Sequence, residues 1–247
     1  MNNKRNNKRP QLVNDEIYHI VSRAVGDTVV FDDEKDFYRG IFSIYEFNNN
    51  NPVEIWKKRL ARNRFKSHQK FIEAGGRPTS PQLDARDKIV EVLAFSFMPN
   101  HLHLILKQIK DNGIVEFMKK VGGGYAKYFN EKYDRKGHLF NKFRAVHIKN
   151  DEQLKICFVY VHTNLISLIE PGWKEKGIKN PEKVKEFLEN NKRHSYMDYL
   201  GKKNFSSVTQ RDFLSELMGG VDGCRANVNN WVEYKKDLRD FGDIVLE

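Results

Sequence analysis

The sequence predicts an α+β protein: one antiparallel sheet with helices packed on one face. Three observations carry this. Short apolar or alternating runs at 16–23, 88–107 and 142–148 have the repeat of strands. Apolar residues at 33–47, 112–132 and 152–166 recur at helical spacing. The resulting order, strand, helix, strand, strand, helix, strand, helix, suits two layers of an α+β architecture.

Taken in order, residues 1–13 read as a flexible basic arm carrying Lys4, Arg5, Lys8 and Arg9. Glu16 to Arg23 is the first strand. Asp32 and Asp33 can cap the helix 33–47, which presents Phe37, Ile41, Ile44 and Tyr45 to a sheet. Residues 48–87 read as an insertion. They open on four asparagines and Pro52, hold the basic run Lys57 to Lys66, and contain the breaker-rich stretch 73–81. Residues 88–107 give two strands about a turn at Met98-Pro99-Asn100, because Pro99 breaks any helix there. The helix 112–132 carries Ile114, Phe117, Met118, Val121 and Tyr125. Its glycines 122–124 each cost about 1 kcal/mol against alanine, which marks a kink or a close backbone approach. After Gly137 a strand follows at 142–148. Asp151 is then the expected cap of a helix over 152–166. Residues 173–247 read as a basic helical extension, with patterns at 181–190 (Pro181 at the first helical position), 210–218 and 228–238. The expected organisation is thus an arm, a catalytic domain over 14–172 with its insertion, and the extension.

A chain of 247 residues supports one sizeable core, or one core and a smaller appendage. Lys and Arg outnumber Asp and Glu by 43 to 33, a formal charge of +10. That surplus favours a polyanionic partner without choosing between DNA, RNA and an acidic membrane. Cys157 and Cys224 make neither a disulfide framework nor a cysteine-rich zinc site, which fits a reducing, cytoplasmic setting. No segment has the apolar length of a membrane span, so no membrane partner is expected.

The chemistry concentrates in His101-Leu102-His103. On a strand, residues i and i+2 point to one face, so both imidazoles project together while Leu102 points away. Tyr160 and Asn164 share a face of the helix 152–166 at i and i+4. An amide oxygen is a legitimate ligand for Mg²⁺ or Mn²⁺, which prefer oxygen and tolerate imidazole. Two imidazoles and one amide leave coordination positions for water and phosphate oxygens. A tyrosine hydroxyl is a poor nucleophile at its ordinary pKa of about 10, and a nearby cation favours the phenolate. Tyr125, among glycines on the earlier helix, is the rival nucleophile; otherwise it faces the core or offers a surface for base stacking.

The chain resembles the IS200-like transposases, the single-tyrosine (Y1) HUH family, and among them most the REP-associated tyrosine transposases. The matching pieces are Tyr18 to Arg23, Phe97 to Ile105, Tyr125 to Asn130, Gly137 to Arg144 and Tyr160 to Asn164, in family order. The resemblance implies a ferredoxin-like sheet, a divalent metal (Mg²⁺ or Mn²⁺), and cleavage and strand transfer of single-stranded DNA near a hairpin through a covalent 5′-phosphotyrosine. It assigns His101, His103 and Asn164 to the metal and Tyr160 to nucleophilic attack. Family members commonly have Asn-Pro at this helix end, where this chain has Asn164-Leu165. Arg23, Arg144, Lys142, Tyr125, Lys127 and His19 are the expected DNA contacts, with Lys149, Lys155, Lys174 and Lys176 adding to the field. No obligatory protein partner is expected, and the C-terminal tail favours a monomer over a homodimer. The enzymatic reading needs the phenol of Tyr160 beside the histidine pair and accessible. Without that, the same surface makes a non-catalytic DNA or RNA hairpin-binding protein. A metal-dependent hydrolase using water is a third class, which would leave no protein on the DNA end.

Overall fold

The computed structural model describes residues 10–55, 57 and 86–233. Residues 1–9 of the arm, residues 56 and 58–85 of the 48–87 insertion, and residues 234–247 lie outside the described residues. Four strands, β1 (Ile17–Arg23), β2 (Val90–Met98), β3 (His101–Gln108) and β4 (Arg144–Ile148), form one sheet in the order β2-β3-β1-β4. Every neighbouring pair is antiparallel, the ferredoxin-like arrangement. Eight α-helices lie among the described residues: α1 (Glu34–Phe47), α2 (Gly113–Lys132), α3 (Asp151–Thr163), α4 (Trp173–Lys176), α5 (Pro181–Asn190), α6 (Tyr196–Tyr199), α7 (Asp212–Met218) and α8 (Gly220–Glu233). Asp33 caps α1 by accepting from the Asp36 amide. Asn150, one residue before the expected Asp151, caps α3 by accepting from Gln153.

The sheet separates two cores. Tyr18, Ile20, Leu102, Leu104, Leu106, Phe95 and Phe97 lie on one face under α1 and α2. Of the three helices expected on a single face, only α1 and α2 lie here. The other face is covered too, by α3 and the helices of the extension. Leu93, Ala94, Met98 and Ile105 meet Phe158 and Val161 of α3 and Leu188, Leu214 and Val228 of the extension. The reason is legible in β2, whose near-continuous apolar run gives it no solvent side. A bulge at Leu93 fixes which residues go where. Val92 pairs with Leu106 but Ala94 with Ile105, so Phe95 and Phe97 enter the first core and Ser96 faces the same side as His103.

The glycine run on α2 is resolved into two parts. A Cβ on Gly124 would run into the Phe47 ring, so that glycine lets α1 and α2 approach. A Cβ on Gly123 would meet nothing within 4 Å, and one on Gly122 only the Phe140 ring at 4.0 Å.

Residues 193–195 of the extension run along the free edge of β2. Phe97 N–H donates to the Arg193 carbonyl (2.8 Å), Ser195 N–H to the Phe95 carbonyl (3.0 Å), and His194 bridges to Ser96. This covers an edge that would otherwise expose unpaired backbone groups. It also buries His194, whose Nε2–H donates to the Leu188 carbonyl at 2.9 Å, beside His162 and Tyr196. Burial pushes the His194 pKa down to about 4. The unfolded chain therefore binds a proton between pH 6.5 and about 4 that the folded chain does not. This group leaves stability intact above pH 6.5 and removes it as pH falls, by on the order of 3 kcal/mol at pH 4. Urea unfolding at pH 7 and pH 4.5 is expected to show that loss, and His194→Gln to reduce it. Equal acid loss in the variant would assign the sensitivity to other groups.

Candidate active site

The second sheet face carries the histidines. The register sets Arg23 opposite His101, Val21 opposite His103 and His19 opposite Ile105, so His19, His101, His103 and Arg23 share that face. The α3 helix crosses it and delivers Tyr160 near its C-terminal end. Asn164 follows where the α-helix tightens into a 3-10 segment, Asn164–Leu168. Leu165, where the family commonly has proline, is fully buried in the second core.

The four residues expected at the site come together. The His101 and His103 ring centroids are 4.9 Å apart, and the His103 and Tyr160 rings 5.6 Å apart, edge to face. Asn164 Nδ2 lies 2.6 Å from His103 Nε2. The amide nitrogen can only donate, so Nε2 is the acceptor and the neutral ring carries its proton on Nδ1. That Nδ1–H in turn donates to His19 Nε2 at 3.0 Å. His101 is oriented the same way: its Nδ1–H donates to Asn100 Oδ1 at 2.6 Å. His101 Nε2 is then a buried lone pair without a hydrogen-bond partner.

Electrostatics keeps both rings neutral. Burial first, then the charges of Arg23 and Lys174, push His101 down to about 4. Burial and the neighbouring His19 and His101 push His103 well below the usual histidine range. Burial raises Tyr160 and the Arg23 charge opposes that rise, so the phenol is protonated at neutral pH. Lys174 of α4 lies 5.9 Å from the centre of the Tyr160 ring.

This donor set fits a divalent cation. An orphaned imidazole lone pair on His101, a second on His103, and the Asn164 carboxamide beside that second ring are the kinds of donor such an ion takes. Among the described residues no group of three or more His, Cys, Asp or Glu side chains is arranged to hold a metal. The donors here are two imidazoles and an amide instead.

Residues 82–164 match the family described as transposase IS200 like. That segment is similar to the IS200-like transposases. The matched segment contains the histidine pair and Tyr160 and ends on Asn164. No curated protein matches the chain. Among solved structures, a REP-associated tyrosine transposase bound to a REP hairpin is similar over 83% of this chain and 91% of its own, at 12% identity and a TM-score of 0.47. A bacterial tRNA(His) guanylyltransferase-like protein in complex with ATP is similar over 75% and 72%, at 10% identity and a TM-score of 0.36.

The expected DNA contacts divide. Arg23 stands next to His101, half exposed and 3.4 Å from Asp27, and the exposed Arg144 pairs with Val21 on the same face. Lys142 is exposed in the loop before β4, and Lys127 on the solvent side of α2 beside Glu131. Two expectations are corrected. His19 is fully buried and bonded to His103, so it is not a DNA contact; its even spacing from Val21 and Arg23 turns it inward with the site. Tyr125 is buried in the first core with its hydroxyl donating to the Val30 carbonyl, and offers neither a stacking face nor a nucleophile on the histidine face. Burial raises its pKa further. The phenol ring lies beside the histidine pair, but the expectation that it is accessible is not met. Tyr160 is 5% exposed, because α3 packs along the sheet and Lys174 approaches its ring. The hydrogen bond from His103 to His19 and the Arg193–Ser195 strip escaped sequence reasoning. Period-two alternation in β1 carried a signal for the first; nothing local signalled the second.

Proposed function

We propose that the protein cleaves and rejoins single-stranded DNA beside a hairpin, with Tyr160 as the attacking residue and a divalent ion, Mg²⁺ or Mn²⁺, held by His101, His103 and Asn164. One observation carries this reading: the orphaned Nε2 of His101 lies on the same face as His103 Nε2, the Asn164 amide and the Tyr160 ring. When bound, the ion would draw charge from a phosphate oxygen and make the phosphorus easier to attack. The Tyr160 oxygen bonds to phosphorus as its proton passes to solvent, which returns one to the leaving oxygen. The bond from phosphorus to the 3′ oxygen breaks, and that oxygen leaves as a 3′ hydroxyl after gaining a proton. The resulting phosphotyrosine keeps the bond energy of the link, so a 3′ hydroxyl can reverse the step and join strands. The Arg23 charge favours ionisation of the phenol, and Lys174, 5.9 Å from the centre of its ring, adds positive charge that favours the approach of phosphate. The basic surplus and the exposed Arg144 and Lys142 suit the phosphate backbone.

His19 holds the His103 tautomer whose Nε2 faces the cation site. His19→Leu is expected to weaken Mn²⁺ binding, read by electron paramagnetic resonance, about 10- to 100-fold. His19→Gln, which keeps an acceptor, is expected to recover part of it. Equal losses in both variants would reduce His19 to packing.

A second reading, a hairpin-binding protein without catalysis, is favoured by the coverage of Tyr160. Incubating the protein with hairpin-bearing single strands and Mn²⁺, then separating products under denaturing conditions, decides between them. A protein–DNA adduct with a free 3′ hydroxyl is expected. Retarded but uncut DNA would leave the binding reading, and cut DNA free of protein would indicate attack by water.

A further inference from the structure

We propose that the cleft between α2 and the 137–143 loop, on the sheet face away from Tyr160, binds one unpaired nucleotide of the DNA next to the hairpin. The inference rests on the DNA-processing function proposed above. The cleft has a volume of about 330 Å³ and is lined by Lys119, Gly122, Gly123, Phe140, Lys142 and Phe143, among others. That volume is at the small end of pockets that enclose a ligand.

The glycines carry the argument. Glycine inside a helix is unfavourable, and packing explains it only at Gly124, where the Phe47 ring leaves no room. Gly122 and Gly123 have room for a side chain and lack one. Their bare backbone forms the floor of the cleft, where a planar ring can approach closely. The walls match a nucleotide in kind. Phe140 and Phe143 are half-buried and offer ring surface, and Lys119 and Lys142 are exposed and cationic. Bases stack on such rings with little regard to sequence, and phosphates take the charge. Phe140 is held against Phe31 and Tyr125, with ring centroids 6.4 and 5.9 Å away.

The cleft is fixed relative to the active site. Val25 N–H donates to the Leu139 carbonyl (2.9 Å) and Asn141 N–H to the Arg23 carbonyl (2.9 Å). Asn141 Nδ2 donates to the Ala24 carbonyl at 3.1 Å. The cleft wall is therefore tied to the strand end that sets Arg23 beside His101. Since β4 is an edge strand, Lys142, Phe143 and Arg144 lead from the cleft around that edge to the histidine face. A single strand following them meets both faces.

The test compares a blunt hairpin with the same hairpin bearing a single-stranded DNA tail. Wild-type protein is expected to bind the tailed form at least about 10-fold more tightly. Gly123→Leu and Gly123→Ala are both expected to raise Tm by about 2–4 °C, as good helix formers replacing glycine. Gly123→Leu is expected to abolish the preference for the tail while leaving blunt-hairpin affinity unchanged. A side chain that only improved the helix would not separate these readouts. With wild-type protein, 2-aminopurine moved along the tail is expected to show stacking at one position, lost on Phe143→Ala. Unchanged tail preference in Gly123→Leu, or no tail preference in the wild type, overturns the cleft assignment. If the wild type still forms the covalent adduct, the catalytic reading stands regardless. An RNA tail bound more tightly than DNA overturns the choice of DNA.

Discussion

Replacing Tyr160 by Phe is expected to abolish the covalent protein–DNA adduct, by at least about 10³-fold, while hairpin affinity stays within a factor of two. The change removes one oxygen and keeps the ring that packs edge-on against His103 at 5.6 Å and His19 at 5.7 Å. Stability should move little, since the hydrophobic contacts of a Tyr-to-Phe exchange are retained. The rival Tyr125 cannot take over the attack, because it lies in the other core with its hydroxyl committed to Val30. Denaturing electrophoresis of a labelled strand measures the adduct. An adduct that persisted in Tyr160→Phe would move the nucleophile elsewhere. The same pair of proteins tests the coverage of the phenol: if Lys174 and its helix hold Tyr160 closed, Lys174→Ala should change the rate of adduct formation without changing its site.

Removing the divalent ion is expected to have an effect of similar size. A chelator should stop cleavage, and Mn²⁺ or Mg²⁺ should restore it. His101→Ala should lower Mn²⁺ affinity by at least about 10²-fold and take cleavage with it. Its cost to folding, lost packing and the lost Nδ1–H bond to Asn100, should be partly offset. The Nε2 atom has no partner to lose, and deleting a buried, unsatisfied acceptor removes a desolvation penalty that offsets the lost packing. A residue kept for structure would behave in the opposite way, with a large fall in Tm and normal metal binding. Full cleavage in metal-free buffer would remove the proposed role of the histidine pair.

The order of elements in the first 170 residues follows from periodicity, and the site pair follows from the strand repeat. His-x-His must share a face of β3, and Tyr160 and Asn164 must share a face of α3, because both relations are local to one element. Which face of the sheet the histidines occupy depended on β1, β2 and the bulge at Leu93, which sequence spacing does not display. His19 shows the limit clearly. Its alternation with Val21 and Arg23 was readable, but its bond to His103 joins residues 84 positions apart and exists only once β1 pairs with β3. The extension shows it again. Helical patterns were legible in 181–190, yet the use of Arg193 to Ser195 to close the edge of β2 was not, since three residues carry no period. The sequence alone determined what each element is and which side chains it presents. Tertiary structure alone decided which of those side chains meet, because contacts between distant segments are set by pairing register and by the burial of both sheet faces.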